Sequence, residues 1–79
     1  MTIYQFIAAD EAKQFDCFLE AVAVGERMEE QYKIVCRQYN DFYIEFKFLN
    51  GVFVENHVFK NPDLLTPYLD QIIIKLREY

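Results

Sequence analysis

Residues 31–59 read QYKIVCRQYN DFYIEFKFLN GVFVENHVF, and the alternation within this stretch decides the fold. It divides into extended segments, Tyr32 to Gln38, Phe42 to Phe48 and Val52 to Val58, separated by reversals rich in Asn, Asp and Gly. Successive side chains of a strand point to opposite sides. In the middle segment Phe42, Ile44, Phe46 and Phe48 therefore share one face, and Tyr43, Glu45, Lys47 and Leu49 the other. The segment before it places Tyr32, Ile34, Cys36 and Gln38 opposite Lys33, Val35, Arg37 and Tyr39. The segment after it places Val52, Val54, Asn56 and Val58 opposite Phe53, Glu55, His57 and Phe59.

Loop length then sets which faces coincide, since a slip of one residue moves every side chain to the other side. A two-residue loop at Asn50-Gly51 sets Phe46 across from Glu55 and Ile44 across from His57 in the simple count. Three-residue loops, Leu49-Asn50-Gly51 and Tyr39-Asn40-Asp41, instead join Phe46 to Val54 and to Ile34, and Ile44 to Cys36. They collect the apolar residues on one side, and Gly51 supplies the left-handed position such a loop requires. The sequence thus predicts three-residue loops.

Outward from this core, Ala21 to Met28 reads as a further strand, with Val22, Val24 and Met28 on the apolar face and Glu26 at the margin. Asp10 is suited to cap a helix running to about Glu20, with Ala12, Phe15, Phe18, Leu19 and Val22 at helical spacing. Thr2 to Ala8 fits either a short edge strand or a helical turn. At the other end, Asn61-Pro62-Asp63 starts a turn, and Pro67 starts a helix with Leu65, Leu69, Ile72, Ile73 and Leu76 as its buried stripe. Three adjacent isoleucines also permit a strand at Ile72–Leu76. The expected fold is α+β, in the order α-β-β-β-β-α. It is a four-stranded antiparallel meander in a single domain over 1–79, with both terminal helices on the Phe42/Ile44/Phe46/Phe48 face as a two-layer sandwich.

Composition limits the function. The net charge is −5, and residues 1–31 carry all of the excess, with seven acids and two bases against six of each in 32–79. Nucleic-acid or anionic-membrane binding needs a basic footprint, so neither is expected. No apolar run approaches the ~20 residues that span a bilayer. Met1 to Ala8 lacks the basic start of a signal peptide, so a cytoplasmic location is expected. A chain this short gains on the order of 3–5 kcal/mol from its own core. With 53% hydrophobic and 18% aromatic residues, either that core is dense or part of the surface is covered by another copy.

No catalytic, cofactor or metal motif emerges. Cys17 and Cys36 read as buried structural thiols of a reducing compartment. His57 stands near Glu45 and Glu55, but the chain offers no further ligands at tight spacing. The face opposite the expected helices carries aromatics interleaved with charges: Arg27, Arg37, Tyr39, Tyr43, Glu45, Phe53, His57 and Phe59. Tyr and Arg are favoured in protein interfaces, which makes this the expected contact face.

Gly25-Glu26-Arg27, Phe42-Tyr43-Ile44-Glu45 and Pro67-Tyr68-Leu69 with Ile72 resemble the pattern of a group of short, uncharacterised bacterial proteins built as helix, β-meander and helix. The likeness covers residues 10–74 and departs at Cys36-Arg37-Gln38-Tyr39, where a Leu-Tyr-Gln type sequence is usual. It implies the same layout and no activity. The expectation is a non-enzymatic interaction module that self-associates, most simply as a dimer, through its sheet. The alternative is a small-ligand binder or minor enzyme with a pocket between helix and sheet, lined by Arg37, Tyr43, Glu45 and His57.

Overall fold

Residues 1–71 are described by the computed structural model. Helix α1 (Ile3–Ala8) and helix α2 (Glu11–Glu20) precede four strands, β1 (Val22–Glu29), β2 (Tyr32–Tyr39), β3 (Phe42–Leu49) and β4 (Val52–Phe59). A 3-10 segment, Pro62–Tyr68, follows. The strands form one antiparallel sheet in the order β1-β2-β3-β4, so the α+β layout and the meander are as the sequence predicts.

Local chemistry explains the helices. Thr2 Oγ1 accepts from the Gln5 amide at 3.1 Å, and Gln5 Oε1 accepts from the Thr2 amide at 2.8 Å. This reciprocal capping box selects helix over strand for the opening residues. Six residues are too few to hold a helix in water, so burial of Ile3 and Phe6 supplies the rest. Asp10 caps α2 through the Lys13 amide at 2.8 Å. The buried side of α2 is turned from the expected stripe: Cys17 and Phe18 are buried, whereas Ala12, Phe15 and Leu19 are exposed. Gln14 joins the covered side by donating to the Phe6 carbonyl at 2.9 Å and accepting from Asn56 at 3.0 Å.

The hairpin loops have two residues, not three. Tyr39 pairs with Phe42 and Leu49 with Val52. Asn50 and Gly51 both take positive φ, 51° and 80°, which is the turn whose twist matches the flanking strands. Val35 therefore faces Phe46, and Arg37 faces Ile44. On the β4 side a bulge lets Val54 drop out of register, so that Phe53 opposes Phe48 and Asn56 opposes Phe46. The expected pairings of Phe46 with Ile34 and Val54 are replaced. The polar residues that now join the inner face are satisfied there. The Arg37 guanidinium lies 4.3 Å over the Phe18 ring and donates to the Phe18 carbonyl at 2.9 Å.

The register creates two cores on opposite sides of the sheet. Under α1 and α2, the side chains of Ile3, Phe6, Cys17 and Phe18 meet Phe42, Ile44 and Phe46. The Phe18 and Phe46 rings stack at 3.9 Å. On the other face Val24, Cys36 and Phe59 meet Leu65 and Tyr68 of the 3-10 segment, with Tyr43 alongside. The C-terminal cover thus packs opposite the N-terminal helices, not beside them, because Cys36, Tyr43 and Phe59 give that face an apolar floor of its own. In β1 only Val24 is buried, at a bulge beside Gly25, while Val22 and Met28 are exposed. Asn61 caps the 3-10 segment by accepting from the Asp63 amide at 3.0 Å, as the Asn-Pro-Asp sequence implies. Leu65 is buried as expected, whereas Leu69 is about half exposed. The remaining expected stripe residues Ile72, Ile73 and Leu76, and the alternative strand there, lie outside the described residues.

Candidate functional site

The eight residues expected on one contact face are divided by the register. Arg27, Tyr43, Glu45, His57 and Phe59 lie on the side of the 3-10 segment. Arg37, Tyr39 and Phe53 lie on the side of α1 and α2, with Tyr39 and Phe53 packed against the core there. The two-residue Asn40-Asp41 turn carries Arg37 and Tyr39 to the helix side, and the β4 bulge at Val54 carries Phe53 there.

On the first side the polar groups converge on Glu45, whose side chain is only 12% exposed. The Tyr68 hydroxyl donates a hydrogen bond to Glu45 Oε2. Arg27 Nε donates to the same hydroxyl at 3.3 Å, and its Nη2 reaches Glu45 Oε2 at 3.5 Å. Arg27 Nη1 also pairs with Glu29 at 2.9 Å. His57 Nδ1 lies 3.2 Å from Glu45 Oε1. Burial first, then the bond to Glu45, pushes the Tyr68 phenol well above its ordinary range. Cys36 lies in the same core with no exposed surface. Its thiol is pushed up to about 12, chiefly by burial and next by the Glu45 charge. A thiol so protonated is a poor nucleophile. Glu45 is engaged on both oxygens, so the cluster works as a latch that fastens Tyr68 to the sheet.

Gly25 permits that latch to close. A Cβ there would stand 2.4 Å from Gln71 Oε1 and 3.0 Å from Tyr68 Cδ1. Gln71 Oε1 accepts from the Glu26 amide at 3.0 Å, and Gln71 Nε2 donates to the Glu26 carbonyl at 2.6 Å. The sequence reading missed Tyr68 and Gln71 as partners of β1. The available signal was a lone glycine within a strand, which marks a bulge or a close approach of another group.

The opposite side holds a groove of about 540 Å³ between α2 and the β1–β3 end of the sheet. Phe18, Met28, Val35 and Phe48 give it apolar walls, and Glu26, Lys33 and Arg37 give it charged ones. The helices cover Phe42, Ile44 and Phe46 but leave this end of the face open, with Met28 66% and Leu19 59% exposed. Of the predicted contact residues only Arg37 lines it.

Cys17 and Cys36 are free thiols in separate cores, and Cys17 Sγ approaches Met1 Sδ at 3.3 Å. Among the described residues no group of three or more His, Cys, Asp or Glu side chains is placed to hold a metal ion, and no helix is long and apolar enough to cross a membrane. Compared with protein-family models, with curated proteins and with solved structures, the chain finds no match.

Proposed function

We propose that this protein is a non-enzymatic interaction module that self-associates through the open end of its helix-side sheet face, acting in the reducing cytoplasm. The groove beside α2 carries the reading. It sets the exposed Met28 beside the half-buried Val35 and Phe48, with the buried Phe18 behind them, and an open apolar surface of this kind on a small chain supports a docking site. Charge supports a second copy as the occupant. Arg37 and Lys33, the latter paired with Glu26 at 3.3 Å, line the groove and leave it a net positive charge, whereas Asp16 and Glu20 flank the exposed Leu19 on α2. A two-fold contact brings each basic wall to the acidic helix of the other copy, and such an interface is complementary to itself.

Light scattering across micromolar concentrations tests this. The wild-type chain should weigh more than its 9.5 kDa, and Leu19→Lys should return it to that mass. Lys33→Glu should weaken association, and adding Glu20→Lys should restore it. A wild-type particle of 9.5 kDa throughout removes the proposal.

The groove volume also lies in the range of small-molecule sites, roughly 300–1,000 Å³. This favours an apolar ligand as the second reading. A thermal-shift screen on the Leu19→Lys chain separates the two, since a ligand there stabilises the monomer.

A further inference from the structure

The β1 edge of the sheet is capped by a side chain. At the β1 edge, the Glu26 N–H and C=O both point away from β2, and both are taken by the Gln71 side-chain amide. A carboxamide donating and accepting at one residue reproduces the pair of bonds that a neighbouring antiparallel strand would make there. Residue directions alternate along the ladder, so Met28 presents its own N–H and C=O outward in the same way. Two such positions, spaced by two residues, define a strand-acceptor site.

We infer that the β1 edge is a docking site for the β1 edge of a second copy of this chain, held closed by Gln71. An antiparallel pairing about a two-fold axis at Arg27 sets Glu26 of one copy opposite Met28 of the other, with four backbone bonds between them. It also brings Glu29 of each copy diagonally to Arg27 of the other, which offsets the approach of the two arginines. The bulge at Val24 ends the pairing on one side and the Glu30-Gln31 turn on the other, so the added ladder is short and specific in register. Gly25 belongs to this device: only a residue without a Cβ lets Gln71 lie against the edge. The Tyr68 bonds to Glu45 and Arg27 hold the clasp in place. Lifting the C-terminal segment therefore does two things at once: it empties the second core and it opens the edge. This contact lies apart from the α2 groove and does not depend on it.

The test uses the full chain in the Leu19→Lys background, where the groove contact is absent, so failure of the groove reading leaves it intact. Gln71→Ala removes two hydrogen bonds from each edge without adding bulk. Opening one clasp then becomes easier by about tenfold, and a dimer opens two, so dimerisation should strengthen by about a hundredfold. Gln71→Glu keeps an acceptor for the Glu26 amide and loses the donor, and should fall between. Amide hydrogen exchange by NMR reads the register. In the Gln71→Ala dimer the Glu26 and Met28 amides should both be protected, and both should exchange quickly on dilution to monomer. A Gln71→Ala chain that stays as monomeric as its Leu19→Lys parent overturns the inference. So does one that dimerises while the Met28 amide exchanges freely.

Discussion

Tyr68→Phe isolates the latch at Glu45 by removing one oxygen from a fully buried ring. Ring packing against Val24, Cys36, Phe59 and Leu65 is kept. What is lost is the bond donated to Glu45 and the bond accepted from Arg27. A hydrogen bond to a charged group contributes about 1.5–3 kcal/mol. Here the carboxylate is 12% exposed, so water replaces the phenol poorly, while Arg27 at 3.5 Å remains as a partial substitute. The expected loss is about 2 kcal/mol, or about 8–16 °C in melting temperature for a domain of this size. The variant also changes the response to alkali. The folded chain holds the Tyr68 proton more tightly than the unfolded chain does, because burial and Glu45 raise its pKa above 10.0. That contribution is complete below pH 10 and is lost as pH rises beyond it. Wild-type stability should thus fall more steeply above pH 10 than that of Tyr68→Phe. Urea unfolding followed by circular dichroism, at pH 7 and at steps to pH 11, measures both effects. A loss under about 0.5 kcal/mol together with parallel alkaline slopes would refute the latch.

Phe46→Ala should destabilise by about 3–5 kcal/mol in the same assay, since its ring is stacked on Phe18 and touches Phe15, Phe48 and Phe53. A smaller loss would mean that the helix-side core closes over the gap. Gly51→Ala meets no atom within 4 Å, so its effect is that of the backbone alone. At φ +80° the expected cost is about 1–2 kcal/mol, and an unchanged urea midpoint would contradict the turn geometry.

Much of the architecture was legible because it is local. The alternation of Phe42 to Phe48 marks a strand, Asp10 and Asn61 mark helix starts, and each does so where the structure has one. Register was not legible by the rule applied to it. Collecting every apolar residue on one side assumes one core, whereas Cys36, Tyr43 and Phe59 belong to a second. The Asn50-Gly51 pair signalled a two-residue loop correctly, and the hydrophobic count overrode it. The three-residue loops set Arg37 away from the helices, but its guanidinium stacks on the Phe18 ring and donates to a helix-end carbonyl. The contact face inherited the same error. The Gln71 clasp depends on a side chain 45 residues from its partner, and only Gly25 hinted at it.

A sheet with grease on both sides loses a safeguard that most small sheets keep. In an ordinary two-layer domain a misaligned hairpin thrusts oily groups into water and is rejected for that reason. Here a shifted β2 would trade one dry compartment for another, so solvent discriminates weakly between right and wrong alignments. Fidelity must then come from shape and from the reversals themselves: a guanidinium stacked on Phe18, a thiol buried with Tyr68, and tight two-residue corners at 40–41 and 50–51.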